Sequence, residues 1–196
     1  MIPFLLAATA MLGTPGPGIA ALVAVGRSLD RVSAFRFYAA LQLGLAIAAA
    51  LSVLGLVGLI QTFAALRTVL MLAATLYLLW LAWKIAFAPV GAASIDGSAG
   101  GPMTGKGAFF LGIANPKAYL AFASLFGSFT LLPAGSAFAD GALKWGLCIA
   151  VILVVDLAWL CLGMTFGRLA MSASAERLFN RVMGAAILGA CLVAWL

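Results

Sequence analysis

The sequence predicts an all-α polytopic membrane protein, and three observations carry that prediction. Of its 196 residues, 66% are hydrophobic and 8% are charged, against roughly 25% charged in an ordinary soluble domain. A soluble fold of this length could not cover so much apolar surface. The apolar residues fall into six runs, each close to the ~20 residues that a membrane-crossing helix needs. No run shows the period-two alternation of a half-buried strand.

The runs lie at about 2–26, 37–61, 66–87, 107–131, 145–167 and 178–196. Met1-Ile2-Pro3 carries no basic side chain, and no small-residue cleavage pattern follows the first run. The first segment is therefore expected to remain as a span. Gln61 to Arg67 is short enough to join the second and third spans as a helical hairpin. Pro89 to Lys106 is rich in Gly, Ser and Pro, including Gly97-Ser98-Ala99-Gly100-Gly101-Pro102, and reads as a flexible connector. The expected organisation is one domain, 1–196, made of a three-helix half (1–88), a cytoplasmic connector (89–106) and a second three-helix half (107–196).

Basic residues choose a side. Arg27, Arg31, Arg36, Lys84, Lys106, Arg168, Arg177 and Arg181 fall on the connector side, against Arg67 and Lys144 opposite. Such asymmetry places the connector in the cytoplasm and both termini outside. Trp80 and Trp83 beside Lys84, and Trp145 and Trp195 at the other face, either anchor at the interfaces or pack between helices. The formal charge of +6 is dispersed among loops, which fits membrane orientation rather than a nucleic-acid patch. Cys148, Cys161 and Cys191 all lie within spans and read as small buried apolar residues, not as a disulfide framework.

Three features interrupt the apolar runs at similar depth: Thr14-Pro15-Gly16-Pro17-Gly18, Asn115-Pro116-Lys117 and Asp156. Proline removes an N–H and clashes with the preceding turn, so carbonyls near Met11 and Gly13 lose their usual partners. Two half-helices meeting at an unwound hinge are expected, with freed carbonyls for a cation and helix N–H groups for an anion. A plain proline kink is the alternative at each break. Asn115 is a favoured N-cap and Pro116 suits the first helical position. Lys117 lies roughly 15 Å along the helix from Gly107, where a lysine costs on the order of 3 kcal/mol on insertion scales. It either meets a ligand or pairs with Asp156 as an internal strut. Asp156 itself either exchanges a proton or holds an ammonium group, with Trp159 offering a cation–π face.

With three spans in each half, the halves enter the membrane from opposite sides. Paired interruptions in spans one and four then point to an inverted-repeat secondary transporter with its site at the pseudo-symmetry centre. The candidate binding residues are Thr14, Pro15, Gly16, Pro17, Gly18, Asn115, Pro116, Lys117, Asp156 and Trp159. Gln42, Thr62, Thr75, Tyr77, Tyr119 and Ser124 either line a path or hydrogen-bond between helices. Gly163-x-x-x-Gly167 fits close packing inside the bundle better than a homo-oligomer interface. Enzymatic readings lack support: the chain has no His, no carboxylate pair at catalytic spacing and no phosphate loop beside a strand. Neither a metal site nor a cofactor is expected.

Thr14-Pro15-Gly16-Pro17 in span one, Asn115-Pro116-Lys117 in span four and Val155-Asp156-Leu157-Ala158-Trp159 in span five resemble the lysine exporter family. Leu76-Tyr77-Leu78 with Trp83-Lys84, and Arg181-Val182-Met183-Gly184, add to the likeness, which covers nearly the whole chain. The resemblance implies a bacterial inner-membrane exporter of amino acids or close analogues, driven by the proton gradient. One departure stands out. Gly18 occupies the place after Pro-Gly-Pro where the family usually has Asn or Asp. Two other functions compete, an ion or metal transporter of a related membrane fold and a non-transporting membrane scaffold.

Overall fold

A computed structural model describes residues 1–54, 104–133, 135–168 and 173–193, together with scattered positions between 72 and 87. The expected Gln61–Arg67 hairpin loop, Lys84, most of the connector and Trp195 lie outside the described residues. Seven helices are described: α1 (Ile2–Gly13), α2 (Pro17–Ser28), α3 (Arg31–Val53), α4 (Gly105–Ile113), α5 (Pro116–Ser128), α6 (Ala137–Arg168) and α7 (Ala173–Val193). The protein is an all-α polytopic membrane protein.

Both expected breaks are present. α1 and α2 meet at a 63° bend and α4 and α5 at a 43° bend, each pair apolar and long enough to count as one interrupted span. The local cause is the same in both. Pro17 and Pro116 occupy the first turn of the helix after each break, where a missing N–H costs nothing. Each preceding residue is extended, as proline requires of its neighbour: Gly16 at φ −157° and Asn115 at ψ 104°.

Two helix starts differ most from expectation, and in each case a carboxylate is the reason. Span two begins at Arg31, not near 37, because the Asp30 carboxylate accepts from the Val32 and Ser33 N–H groups at 2.9 and 3.1 Å. This cap satisfies donors the helix itself leaves open. Arg31 and Arg36 consequently lie on the helix rather than in a loop. The helix ends at Val53, short of the expected 61. Hydrogen bonds from Ser33, its side chain foremost, hold the exposed Asp30 carboxyl below its ordinary 3.8.

Span five begins at Ala137, not at 145, and absorbs Lys144 into its second turn. Lys144 Nζ lies 2.6 Å from the Asp140 carboxylate and donates to the Phe126 and Phe129 carbonyls at 3.0 and 2.9 Å. Asp140 in turn accepts from the Leu131 and Leu132 N–H groups at 2.6 and 2.8 Å. The pair mates at i,i+4 and ties off open backbone groups at the end of α5. A charge that hydropathy assigns to a loop is thereby neutralised within the helix.

Small residues set the packing. A Cβ on Gly44 would lie 2.3 Å from the Phe109 carbonyl, and one on Gly112 would lie 2.5 Å from the Leu41 carbonyl, so α3 and α4 touch backbone to backbone. Gly26 meets the Leu160 carbonyl and Gly163 the Val23 carbonyl in the same way. The Gly163/Gly167 pair is thus spent on α2 inside the bundle, where lipid offers no competing hydrophobic drive and close contact supplies the attraction. The contacts Gly13–Val155, Val23–Gly163 and Arg27–Gly167 advance together, so the first bent span and α6 run parallel. Tyr38 donates to the Leu153 carbonyl at 2.8 Å and Trp145 to the Ala46 carbonyl at 3.0 Å. There the numbers run oppositely, and α3 is antiparallel to α6. Trp145 therefore packs between helices. Cys148 is buried as expected, but Cys161 is exposed on the helix surface, because it falls on the outward side of α6 while Leu160 takes the inward one.

Candidate functional site

The two breaks converge. Gly16 and Gly18 at the start of α2, Asn115 and Lys117 at the start of α5, and Asp156 midway along α6 line one small cavity. Its volume is about 40 Å3, room for about three waters at ~10–15 Å3 of such space each. Met11, Leu12, Ile19, Leu45 and Ile152 supply apolar wall.

Each polar group has an identifiable support. The Asn115 side chain accepts from the Ala118 N–H at 3.4 Å and caps α5. No side chain caps α2, so the N–H groups that any helix leaves open at its first turn stand beside the cavity. Lys117 crosses from the second break to the first, where its Nζ donates to the Thr14 carbonyl. That carbonyl belongs to the extended residue that ends α1, beyond the helix's own ladder. A Cβ on Gly16 would meet Lys117 Cδ at 2.8 Å, so the glycine leaves the lane in which the lysine stem lies. Asp156, 5% exposed, accepts from Gln42 Nε2 at 2.7 Å.

Lys117 and Asp156 therefore share a cavity while each bonds to a different partner. Among the described residues no ion pair joins them, and a permanent strut between them is not what the structure contains. The arrangement sets a cation and two helix N-termini against a buried carboxylate, with only small volume between. Such a site has complementary poles for a ligand carrying both charges.

A family profile of LysE type translocators matches residues 9–195. The chain belongs to the LysE type translocator family. No curated protein and no solved structure matches it. This LysE type translocator is a multi-pass membrane protein that works in a lipid environment on a small-molecule substrate.

Of the ten residues singled out in the sequence, Gly16, Gly18, Asn115, Lys117 and Asp156 line the translocator's cavity. Thr14 joins through its main-chain carbonyl. Pro15 is exposed, and Pro17 and Pro116 shape the backbone of the breaks. Trp159 is half-buried and stands outside the lining. Thr62 and Tyr77 lie outside the described residues; among the described ones of the other polar residues named, Gln42 is the one that bonds to Asp156. Its signal in the sequence is modest: an amide within an otherwise apolar stretch of α3. The apolar lining residues had no signal, since each is one apolar position among many.

Among the described residues no group of three metal-ligating side chains is found, and no observation favours the ion or metal reading.

Proposed function

We propose that this translocator exports zwitterionic amino acids or close analogues across a bacterial inner membrane, coupled to proton movement. The observation that carries the reading is the sharing of one cavity by Lys117 and Asp156 at the meeting of two broken helices. The substrate carboxylate takes Lys117 and the open N–H groups of α2, and the ammonium takes Asp156. The apolar wall sorts the side chain.

The cavity, at about 40 Å3, is tight for an amino acid, and movement of the breaks apart widens it. Lys117 spans them through the Thr14 carbonyl. A substrate carboxylate, as a charged acceptor, outcompetes that neutral carbonyl and releases the first break from the second. Binding energy thereby shifts the protein toward an open state.

The two halves follow the same order, a bent pair and then a long helix, and Pro17 and Pro116 hold equivalent places. This order supports an inverted repeat, with alternating access by rocking of one half against the other. The distribution of basic residues supports termini in the periplasm.

Flux in liposomes decides it. Purified protein is tested against a panel of amino acids, with and without an imposed pH gradient. Expected is gradient-dependent flux of a subset of the panel, cut by about tenfold or more in Lys117→Ala and abolished in Asp156→Asn, which removes both the ammonium's partner and the group that titrates. Wild-type protein that moves none of the panel, or a Lys117→Ala variant that moves them normally, overturns the reading.

A further inference from the structure

The amide of Gln42 is only half used. Nε2 donates to Asp156 Oδ2 at 2.7 Å, whereas Oε1 is buried and, among the described residues, without a hydrogen-bond partner. The residue is 7% exposed, on the row of α3 in which Tyr38 and Ala46 meet α6. A buried acceptor left unpaired is destabilising, and few native side chains carry that cost without use. A leucine at this place would fill the space without it.

Among the described residues, Asp156 is the one carboxylate lining the cavity. Ionised, it can only accept, and the Gln42 N–H group suits it. Protonated, it gains an O–H donor, and the same N–H group no longer matches the acidic oxygen. A half-turn of the amide plane exchanges Nε2 for Oε1 at the same spot. The unpaired oxygen then receives the new O–H.

We propose that Gln42 is a positioning residue for Asp156 that serves both of its protonation states, donating to the carboxylate and, after its amide turns over, accepting from the acid. The proton comes from water on one side of the membrane, forms the O–H bond on Asp156, and leaves to water on the other side. The proposal rests on Asp156 being the proton-carrying group of the export cycle. The other groups near Asp156 are identifiable. α5 contributes Lys117, held at Thr14, and α3 contributes Tyr38, whose hydroxyl is engaged by the Leu153 carbonyl. α1 carries no titratable side chain, and Arg27 of α2 is bonded to Asn180.

Infrared titration of the purified protein in liposomes tests this without relying on transport. The Asp156 carboxylic-acid band is identified by its absence in Asp156→Asn. Because a bond to a charged acceptor is stronger than one from a neutral acid, Gln42→Leu is expected to raise proton affinity at Asp156 by about tenfold. The acid carbonyl band is expected to move to higher frequency as the O–H loses its acceptor. Gln42→Met, similar in length and flexible, is expected to match, which guards against a packing artefact of either variant. A band whose midpoint and frequency ignore both substitutions overturns the inference and leaves Asp156 as proton carrier. A changed midpoint at unchanged frequency overturns the amide turnover. No titrating Asp156 band in the wild-type protein overturns the proton-coupled reading, and this inference with it.

Discussion

Lys117, at the start of the helix after the second break, donates to the main-chain carbonyl of Thr14 at the first. The bond joins two half-helices that are far apart in sequence. It uses the carbonyl of the extended residue that ends α1, so the open backbone of one interruption meets the cation of the other. Asp156, which shares the cavity, is left to Gln42.

Removal of the cation tests that bond and the site together. A hydrogen bond involving a charged group is worth about 1.5–3 kcal/mol, or roughly 10- to 100-fold in a rate or affinity. Lys117→Ala is expected to lower the substrate flux of proteoliposomes by that factor at equal protein content. Lys117→Arg keeps the charge but not the compact ammonium, and is expected to recover part of it.

Gly16→Ala places a methyl group 2.8 Å from Lys117 Cδ. The stem is flexible and can yield, so the helices need not separate. Expected is a thermal unfolding midpoint close to wild type, measured in detergent, with flux reduced because the lysine is pushed off Thr14. A variant that transports normally would show that the lane beside Gly16 is not needed.

Gly112→Ala and Gly44→Ala behave differently, because the obstacle is backbone. A Cβ at Gly112 would meet the Leu41 carbonyl at 2.5 Å, and one at Gly44 the Phe109 carbonyl at 2.3 Å. Neither carbonyl can move without shifting its helix. Each substitution is expected to cost about 1–3 kcal/mol, the usual range for overpacking, read as a lower unfolding midpoint and lower yield in the membrane fraction.

Asp30 makes the cap of α3 dependent on pH. Its carboxyl is held below the ordinary 3.8 in the folded protein by Ser33 and Val32. A depressed folded value means that the stabilisation is fully present above the unfolded value and is lost as pH falls through the folded one. The difference in unfolding midpoint between wild type and Asp30→Ala is therefore expected to hold steady above about pH 5 and to shrink below pH 4. A difference independent of pH would show that the charge is not what caps the helix.

Much of this protein is legible without coordinates. Apolar runs reveal spans because a bilayer admits only backbone that satisfies itself. Pro17 and Pro116 reveal breaks because proline acts on its own chain, through local sterics that no fold can cancel. Both determinants are one-dimensional, and both bends appear where they were expected. The boundaries of α3 and α6 were less legible. Asp30 and the Asp140–Lys144 pair extend those helices through hydrogen bonds that hydropathy does not count.

By itself, the sequence determined the membrane class, the all-helical fold, the two interruptions and the presence of a lysine and an aspartate within spans. Only tertiary structure decided which groups those charges meet. Lys117 takes a carbonyl 103 residues away and Asp156 an amide 114 residues away. Such partnerships depend on how closely helices approach, and here Gly44, Gly112, Gly26 and Gly163 bring backbones into contact. Pairing across space is a property of packed surfaces, and no local pattern along the chain encodes it.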